Sequence, residues 1–403
     1  MARSFAQRMN GVHPSAIRDL MSLAADPEII SFGGGFPDPE SFPSEAFAEI
    51  LSEQMASHAK VALQYSASEG LPSLRSHIAD LMGIDGIQCA ADDVLVLQGA
   101  QQGLDLVAKL MIDPGDLIVT ENPTFIGALV AFAPYQPRYA VAELDEDGVN
   151  TDDLERVLIS NPGAKFIYTV PDFQNPTGVT MSLERRRRLL ELAQIHDILI
   201  LEDTPYRTLR YDGSSLPSLK SLDTTGRVIH LGSFSKMLAP ALRLGWVIAP
   251  AEILRKLALL KLAADTQCST LNMSVASAFL DEYDLTAHTR RSVQIHKTQR
   301  DLALETIQHT FPDTIDFSKP DGGLFIWLTF PKGFDAGKHL AEHAIPEDRV
   351  AYVPGAPFYS VLPEPNHARL SYAGKNPDDL VHGLTRLGES FHRAELGLRA
   401  IAK

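Results

Sequence analysis

The run Gly232-Ser233-Phe234-Ser235-Lys236-Met237-Leu238-Ala239-Pro240-Ala241-Leu242-Arg243-Leu244-Gly245-Trp246 sets one lysine among hydroxyls and apolar residues, with an arginine a short way downstream. A lysine amine is nucleophilic only after losing its proton, and both desolvation and a neighbouring cation favour that loss. The apolar neighbours of Lys236 and the nearby Arg243 meet both conditions. Ser233, Ser235 and Arg243 form a set suited to a phosphate group, because hydroxyls and a guanidinium donate to its oxygens. The plainer reading of a lysine beside serines is a solvated surface residue, so the flanking sequence has to decide.

Upstream, Ile198-Leu199-Ile200-Leu201-Glu202-Asp203-Thr204-Pro205-Tyr206 is a short apolar run that ends in an acid, the pattern of a buried parallel strand. An acid at the carboxyl end of such a strand faces the ligand crevice of an open α/β sheet. A pyridine cofactor such as pyridoxal phosphate needs a carboxylate against its ring nitrogen, since a protonated ring withdraws electrons from a carbanion. Asp203 is the candidate, and Tyr206 is placed to donate to the ring's phenolic oxygen. Further back, Pro171-Asp172-Phe173-Gln174-Asn175-Pro176-Thr177-Gly178 closes a strand at 165–170 with turn chemistry, and Asn175 offers an amide to the same oxygen. Taken alone, Asn-Pro-Thr-Gly is an ordinary turn.

Asn-Pro-x-Gly, then Asp-x-x-Tyr, then Ser-x-Ser-Lys with a downstream arginine is the ordered signature that this chain shares with fold type I pyridoxal phosphate aminotransferases. The chain resembles that family from about Ile30 to its C-terminal region, with the nearest likeness to the branch containing 2-aminoadipate and kynurenine aminotransferases. The resemblance implies that Lys236 bonds to the cofactor aldehyde, that Asp203 pairs with the pyridinium, and that Tyr206 and Asn175 donate to the phenolic oxygen.

Val94-Leu95-Val96-Leu97-Gln98-Gly99-Ala100-Gln101-Gln102-Gly103 reads as a strand, a tight turn and a helix from Gln102 to Met111. Free backbone N–H groups and the helix dipole favour an anion at such a start, and Gly99 and Ala100 put no bulky side chain in its way. Gly99, Ala100 and Gln101 therefore join Ser233, Ser235 and Arg243 in one expected phosphate site. The resemblance adds Tyr65 as a phosphate ligand supplied by a second subunit, which implies a homodimer with shared active sites. It also places Phe125, after a strand from Leu117, against the cofactor ring. Relatives usually carry tyrosine or tryptophan there; phenylalanine can stack but cannot donate a hydrogen bond.

A substrate carboxylate calls for a planar guanidinium, which matches it with two parallel bonds. Arg369, in Ala368-Arg369-Leu370-Ser371-Tyr372, matches the family's carboxylate-binding arginine. The glycine run Ser31-Phe32-Gly33-Gly34-Gly35-Phe36-Pro37 is too flexible for regular structure, and by resemblance Gly34 and Gly35 lie over the substrate. Ser15 is placed to cap a short helix carrying Arg18, and in aminoadipate-type relatives such a helix swings over the site, so Arg18 is a candidate for a substrate's second carboxylate.

The formal charge, 36 minus 51 or -15, disfavours nucleic acid and anionic membranes as partners. The two cysteines, Cys89 and Cys268, imply no disulfide framework and no metal site. No apolar run reaches the roughly 20 residues that span a bilayer. Arg3 and Arg8 without an acid suggest a transit peptide, but no cleavage site follows, and cytoplasmic residence is the expectation. Arg185-Arg186-Arg187-Arg188, flanked by Glu184 and Glu191, reads as a solvated helix face.

Strands are expected near 94–98, 117–121, 137–143, 165–170, 198–203, 228–232 and 243–249, separated by helical or connecting segments: an α/β fold with a mostly parallel sheet. The family's sheet has seven strands, one antiparallel. The expected organisation is an N-terminal arm over 1–45 that belongs partly to a small domain, a large cofactor-binding domain over 46–283, and an interdomain helix with a smaller α+β domain over 284–403. The helix is expected over Tyr283 to His309 and a small-domain strand over Gly322 to Leu328.

The implied reaction is a ping-pong transamination, in which an L-amino acid displaces Lys236 and the freed amine moves the α-proton. The donor leaves as a 2-oxo acid, and a second oxo acid, 2-oxoglutarate by family habit, accepts the amine. A lyase or decarboxylase on the same cofactor is the alternative. Another is a non-catalytic sensor, as in regulators that fuse an aminotransferase-like domain to a DNA-binding module, for which this chain is expected to have no room.

Overall fold

The computed structural model describes residues 5–12, 26 and 28–401. In chain order its first strands are β1 (Ile30–Ser31), β2 (Val94–Leu97), β3 (Leu117–Asn122), β4 (Arg138–Asp145), β5 (Gly148–Val149), β6 (Phe166–Thr169), β7 (Leu199–Asp203), β8 (Val228–Ser233) and β9 (Gly245–Ile248). All but β1 form one sheet in the order β2-β9-β8-β7-β6-β3-β4-β5. The pairings β4/β3/β6/β7/β8 are parallel, and β9 runs antiparallel to both β8 and β2. The seven expected strands are therefore present, with one reversed.

An eighth, β5, folds back on β4 through Leu144–Val149 and Asp145–Gly148 pairs. This corrects the expected count of seven; a strand of two residues is too short to leave a periodic pattern. The strands β2, β6, β8 and β9 are buried along their whole length, because helices cover both faces and an apolar run is needed on each.

Then follow β10 (Asp316–Phe317), β11 (Phe325–Thr329), β12 (Val350–Ala351), β13 (Val353–Pro354) and β14 (His367–Ser371), of which four form a second sheet, antiparallel throughout, in the order β10-β11-β14-β13. The remaining strand β12 pairs in parallel with β1, tying Ile30 to Val350 and Ser31 to Ala351. In the chain, the helix Leu285–Thr310 follows the large sheet and precedes β10, and it is capped by the Asp284 carboxylate on the N–H groups of Thr286 and Ala287.

Arg186 departs from the expected solvated face. It is fully buried on the helix Leu183–Ile195 and pairs with the buried Asp172 at 2.8 Å, while also donating to the carbonyls of Pro171, Met181 and Pro217. Arg187 remains exposed, and Arg185 and Arg188 pair with Asp145 and Glu155. The run therefore turns one arginine inward, and that arginine braces the loop that carries Asn175.

Candidate active site

The carboxyl ends of β2, β3, β6, β7 and β8 open on one edge of the large sheet, where an open α/β sheet offers its crevice. Because β9 is reversed, the residues just before it reach the same edge, and Arg243 sits there with a left-handed φ of 52°. A cavity of about 290 Å³ at this edge is lined by Gly34, Gly35, Phe36, Ala100, Gln101, Phe125, Asn175, Asp203, Tyr206, Ser233, Ser235, Lys236, Arg243 and Arg369, together with Leu104, Pro205 and Phe325. A larger cavity of about 460 Å³ beside Phe334, His339 and Arg393 contains none of these groups and is remote from the chemistry.

Lys236 follows β8 and donates from Nζ to the carbonyl of Gly35 at 2.7 Å. Burial, then the guanidinium of Arg369 and that of Arg243, pull its ammonium down to about 8. The sequence pointed to Arg243 as the acting cation; Arg369 is the stronger of the two.

Asp203 ends β7 and is almost fully buried. Its Oδ2 accepts from the Tyr168 hydroxyl at 3.0 Å, while Oδ1 has no partner among the described residues. Burial raises its carboxyl to about 6, opposed by the Tyr168 bond and by His230. Tyr168 was not anticipated. It pairs with Leu201 across β6 and β7, so it shares a face with Asp203 two positions further along, a relation set by register that no local spacing reveals.

Tyr206 accepts a 3.0 Å bond from the Asn175 amide, and burial raises its hydroxyl to about 12. The other end of Asn175 accepts from Arg369 Nη1 at 2.8 Å. Arg369, on β14, also donates from Nη2 to Gly33 O at 2.7 Å and lies over the Phe325 ring at 4.1 Å. Its Nε is buried without a partner among the described residues, and burial lowers the guanidinium to about 10.

The loop carrying Asn175 is held from behind by Glu121 and Gln174, neither assigned a role from sequence. Gln174 donates to Glu121 Oε2 and Pro123 O and accepts twice from Thr177, so its amide is saturated. Glu121 also accepts from Thr169 Oγ1 and Val170 N, and burial raises its carboxyl to about 7. One side chain thus joins the loop that presents Phe125 to the loop that presents Asn175.

The helix expected from Gln102 starts two residues earlier, at Ala100, with Gly99 outside it at a φ of 76°. Among the described residues no side chain caps this end; Gln102 N–H turns back to Gly99 O, and the N–H groups of Ala100 and Gln101 are left open. A Cβ on Gly99 would stand 2.8 Å from Arg243 Nη2, so the guanidinium lies directly against the helix start.

Tyr65 does not line this cavity; it is 81% exposed, beside a separate hollow with Gln267 and Thr270. Arg18 and Ser15 lie outside the described residues. The cavity fits pyridoxal phosphate: the unpartnered Asp203 Oδ1 is an acceptor awaiting a donor, a neutral-prone amine lies nearby, and an uncapped helix start with a guanidinium suits phosphate. Among the described residues, no helix is long and apolar enough to cross a membrane.

Residues 27–387 match the family described as aminotransferase class I and II. The chain is 39% identical over 391 residues to aromatic-amino-acid aminotransferase 1 of Thermococcus litoralis, covering 96% of this chain and 93% of that one. A crystal structure of Pyrococcus horikoshii kynurenine aminotransferase in complex with PMP superposes with a TM-score of 0.92 at 38% identity, over 97% of each chain. The α-aminoadipate aminotransferase of Thermus thermophilus, complexed with N-(5'-phosphopyridoxyl)-L-leucine, gives 0.91 at 34% identity over 98% of each. These relatives do not favour the lyase, decarboxylase or sensor alternatives. The chain belongs to the aminotransferase class I and II family and is a pyridoxal phosphate-dependent transaminase of fold type I.

Proposed function

We propose that this transaminase moves the amino group of an L-amino acid to 2-oxoglutarate by a ping-pong route, with a donor range spanning 2-aminoadipate, aromatic and aliphatic side chains. The observation that carries the reading is Arg369, a buried guanidinium with an unpartnered Nε that shares the cavity with Lys236. A planar fork there suits the carboxylate common to amino acids and oxo acids. The wide donor range is supported by the apolar walls Phe36, Leu104, Phe125 and Phe325, and by relatives whose names mention aromatic amino acids, kynurenine and aminoadipate.

In this reading Arg369 orients the substrate, and Lys236 Nζ takes the α-proton and later returns it. Bound pyridoxal phosphate supplies the electron sink for the charge left at that carbon. With the cofactor bound, Asp203 Oδ1 would keep the ring nitrogen protonated, Asn175 and Tyr206 would donate to the phenolic oxygen, and Phe125 would pack against the ring. Gly99, Ala100, Gln101, Ser233, Ser235 and Arg243 hold the phosphate, with Tyr65 added from a second subunit of a homodimer. Gly34 and Gly35 close over the substrate, and Arg18 meets a second carboxylate. We assign the enzyme to the cytoplasm, and its large and small domains to 46–283 and 284–403, with the arm 1–45 contributing to the latter.

The test is visible absorbance of the purified holoenzyme before and after single amino acids, without an oxo-acid acceptor. A spectral change with stoichiometric 2-oxo acid ranks the donors; pyruvate plus ammonia from a cysteine-type donor, or no product at all, would sink the reading. Under Arg18→Ala, glutamate and aminoadipate should lose their advantage over leucine, and an unchanged ranking removes Arg18 from the site.

A further inference from the structure

Residues 33–37 cross the active-site cavity between two fixed ends. Upstream, Phe32 donates to Ala351 O at 2.7 Å and accepts from Ser371 N at 2.8 Å. Along the span, Gly33 O receives Arg369 and Gly35 O receives Lys236, while Gly34, Gly35 and Phe36 line the cavity. The downstream end is Asp38, a buried residue whose every polar group is engaged. Its Oδ1 accepts from Glu40 N, Oδ2 from Gln299 Nε2, and its carbonyl from the Ser41 hydroxyl.

Its backbone N–H goes to His296 Nε2 at 3.0 Å. His296 is fully buried on the helix Leu285–Thr310, and its Nδ1 lies 2.7 Å from Ser292 O. A backbone N–H can only donate and a carbonyl can only accept, so the two partners assign the ring: hydrogen on Nδ1, lone pair on Nε2. Gln299, one turn along the same helix, ties the Asp38 carboxylate to Lys375 O as well. The interdomain helix therefore sets where the glycine span ends.

We infer that His296 is a positioning residue for the amino-acid substrate: through the Asp38 N–H it fixes the backbone surface that residues 33–37 present over the cavity. Removing the Nε2 acceptor leaves a buried N–H unsatisfied, and the span must move to satisfy it. Displacement falls on the substrate side, because the carbonyls that meet Arg369 and Lys236 belong to this span, whereas the pyridinium and phosphate partners lie on other elements. This inference rests on the proposed transamination of amino-acid donors.

The experiment compares holoenzyme variants in steady-state kinetics and in cofactor titration of the apoprotein. His296→Leu should raise KM for both donor and oxo acid by about tenfold, with the loss concentrated in KM and cofactor Kd within about twofold, since misplacing a positioning group by about 1 Å has effects of this order or larger. His296→Gln offers an amide oxygen to the Asp38 N–H and should return KM to within about threefold of wild type. Unchanged KM in His296→Leu with only a lower melting temperature would make the histidine a packing residue and overturn the inference, as would equal losses in cofactor Kd and KM. If that variant does not fold, Gln299→Leu loosens the same end, and an unchanged KM there is equally fatal. A wild-type enzyme that aminates no oxo acid defeats the proposed reaction instead, an outcome distinct from any of these.

Discussion

Lys236 is buried in a cavity it shares with two guanidinium groups, so its ammonium sits at about 8, below the ordinary lysine value of about 10.4. A lowered lysine is neutral over a wider alkaline range, and its reactivity climbs as pH rises through the folded-state value. Acylation of Lys236 in the apoprotein, followed by mass spectrometry, should show a midpoint near pH 8. Arg369→Leu should move that midpoint upward by removing the like charge that acts more strongly on the amine; a wild-type midpoint near 10 would contradict the electrostatics. The residues with the plainest sequence signal, Lys236, Asp203, Asn175 and Tyr206, stand in short motifs at strand ends, where chemistry and chain position coincide. Tyr168 and His296 carry no such signal, since one reaches the site by register across β6 and β7 and the other through a bond from the far end of the chain.

At the scale of elements, the start of the helix Ala100–Met111 joins the glycine turn to Arg243 in one anion site. Its approach depends on Gly99, whose φ of 76° is costly for any residue with a Cβ, and on the space between that glycine and Arg243. Gly99→Ala combines backbone strain of about 1–3 kcal/mol with displacement of the guanidinium, so cofactor affinity should fall by about tenfold or more in apoprotein titration. Replacing Gly115 with alanine, also at positive φ but with open space around the added Cβ, controls for strain alone and should leave cofactor affinity near wild type. Strands of four or more buried residues were legible because each must bury both faces, which makes most of the run apolar. The two-residue β5 and the inward turn of Arg186 were not, because a hairpin extension depends on a single turn and a buried arginine on a partner, Asp172, from another loop.

For the whole molecule, the unplaced piece is Tyr65. It stands 81% exposed, with Val61 and Leu63 at 62% and 68% nearby, and it is absent from the cavity that gathers Ala100, Gln101, Ser233, Ser235 and Arg243. Exposed apolar side chains in such a group suit a subunit contact, and a tyrosine that serves the opposite subunit would be exposed in its own. The proposed homodimer then makes a sharp demand on mixed dimers. Lys236→Ala should abolish turnover, and Tyr65→Ala should weaken cofactor binding enough to suppress activity at limiting pyridoxal phosphate. In a hybrid of the two, sharing across the interface places both defects in one site and leaves the other with intact Lys236 and Tyr65. Random reassortment should therefore restore about a quarter of the wild-type sites in an equal mixture, by the two-fold symmetry of the pair. If Tyr65 serves its own chain, every hybrid site carries one defect and mixing restores nothing. Activity of the unfolded-and-refolded mixture, set against each variant treated alone, separates the two arrangements without any knowledge of the donor.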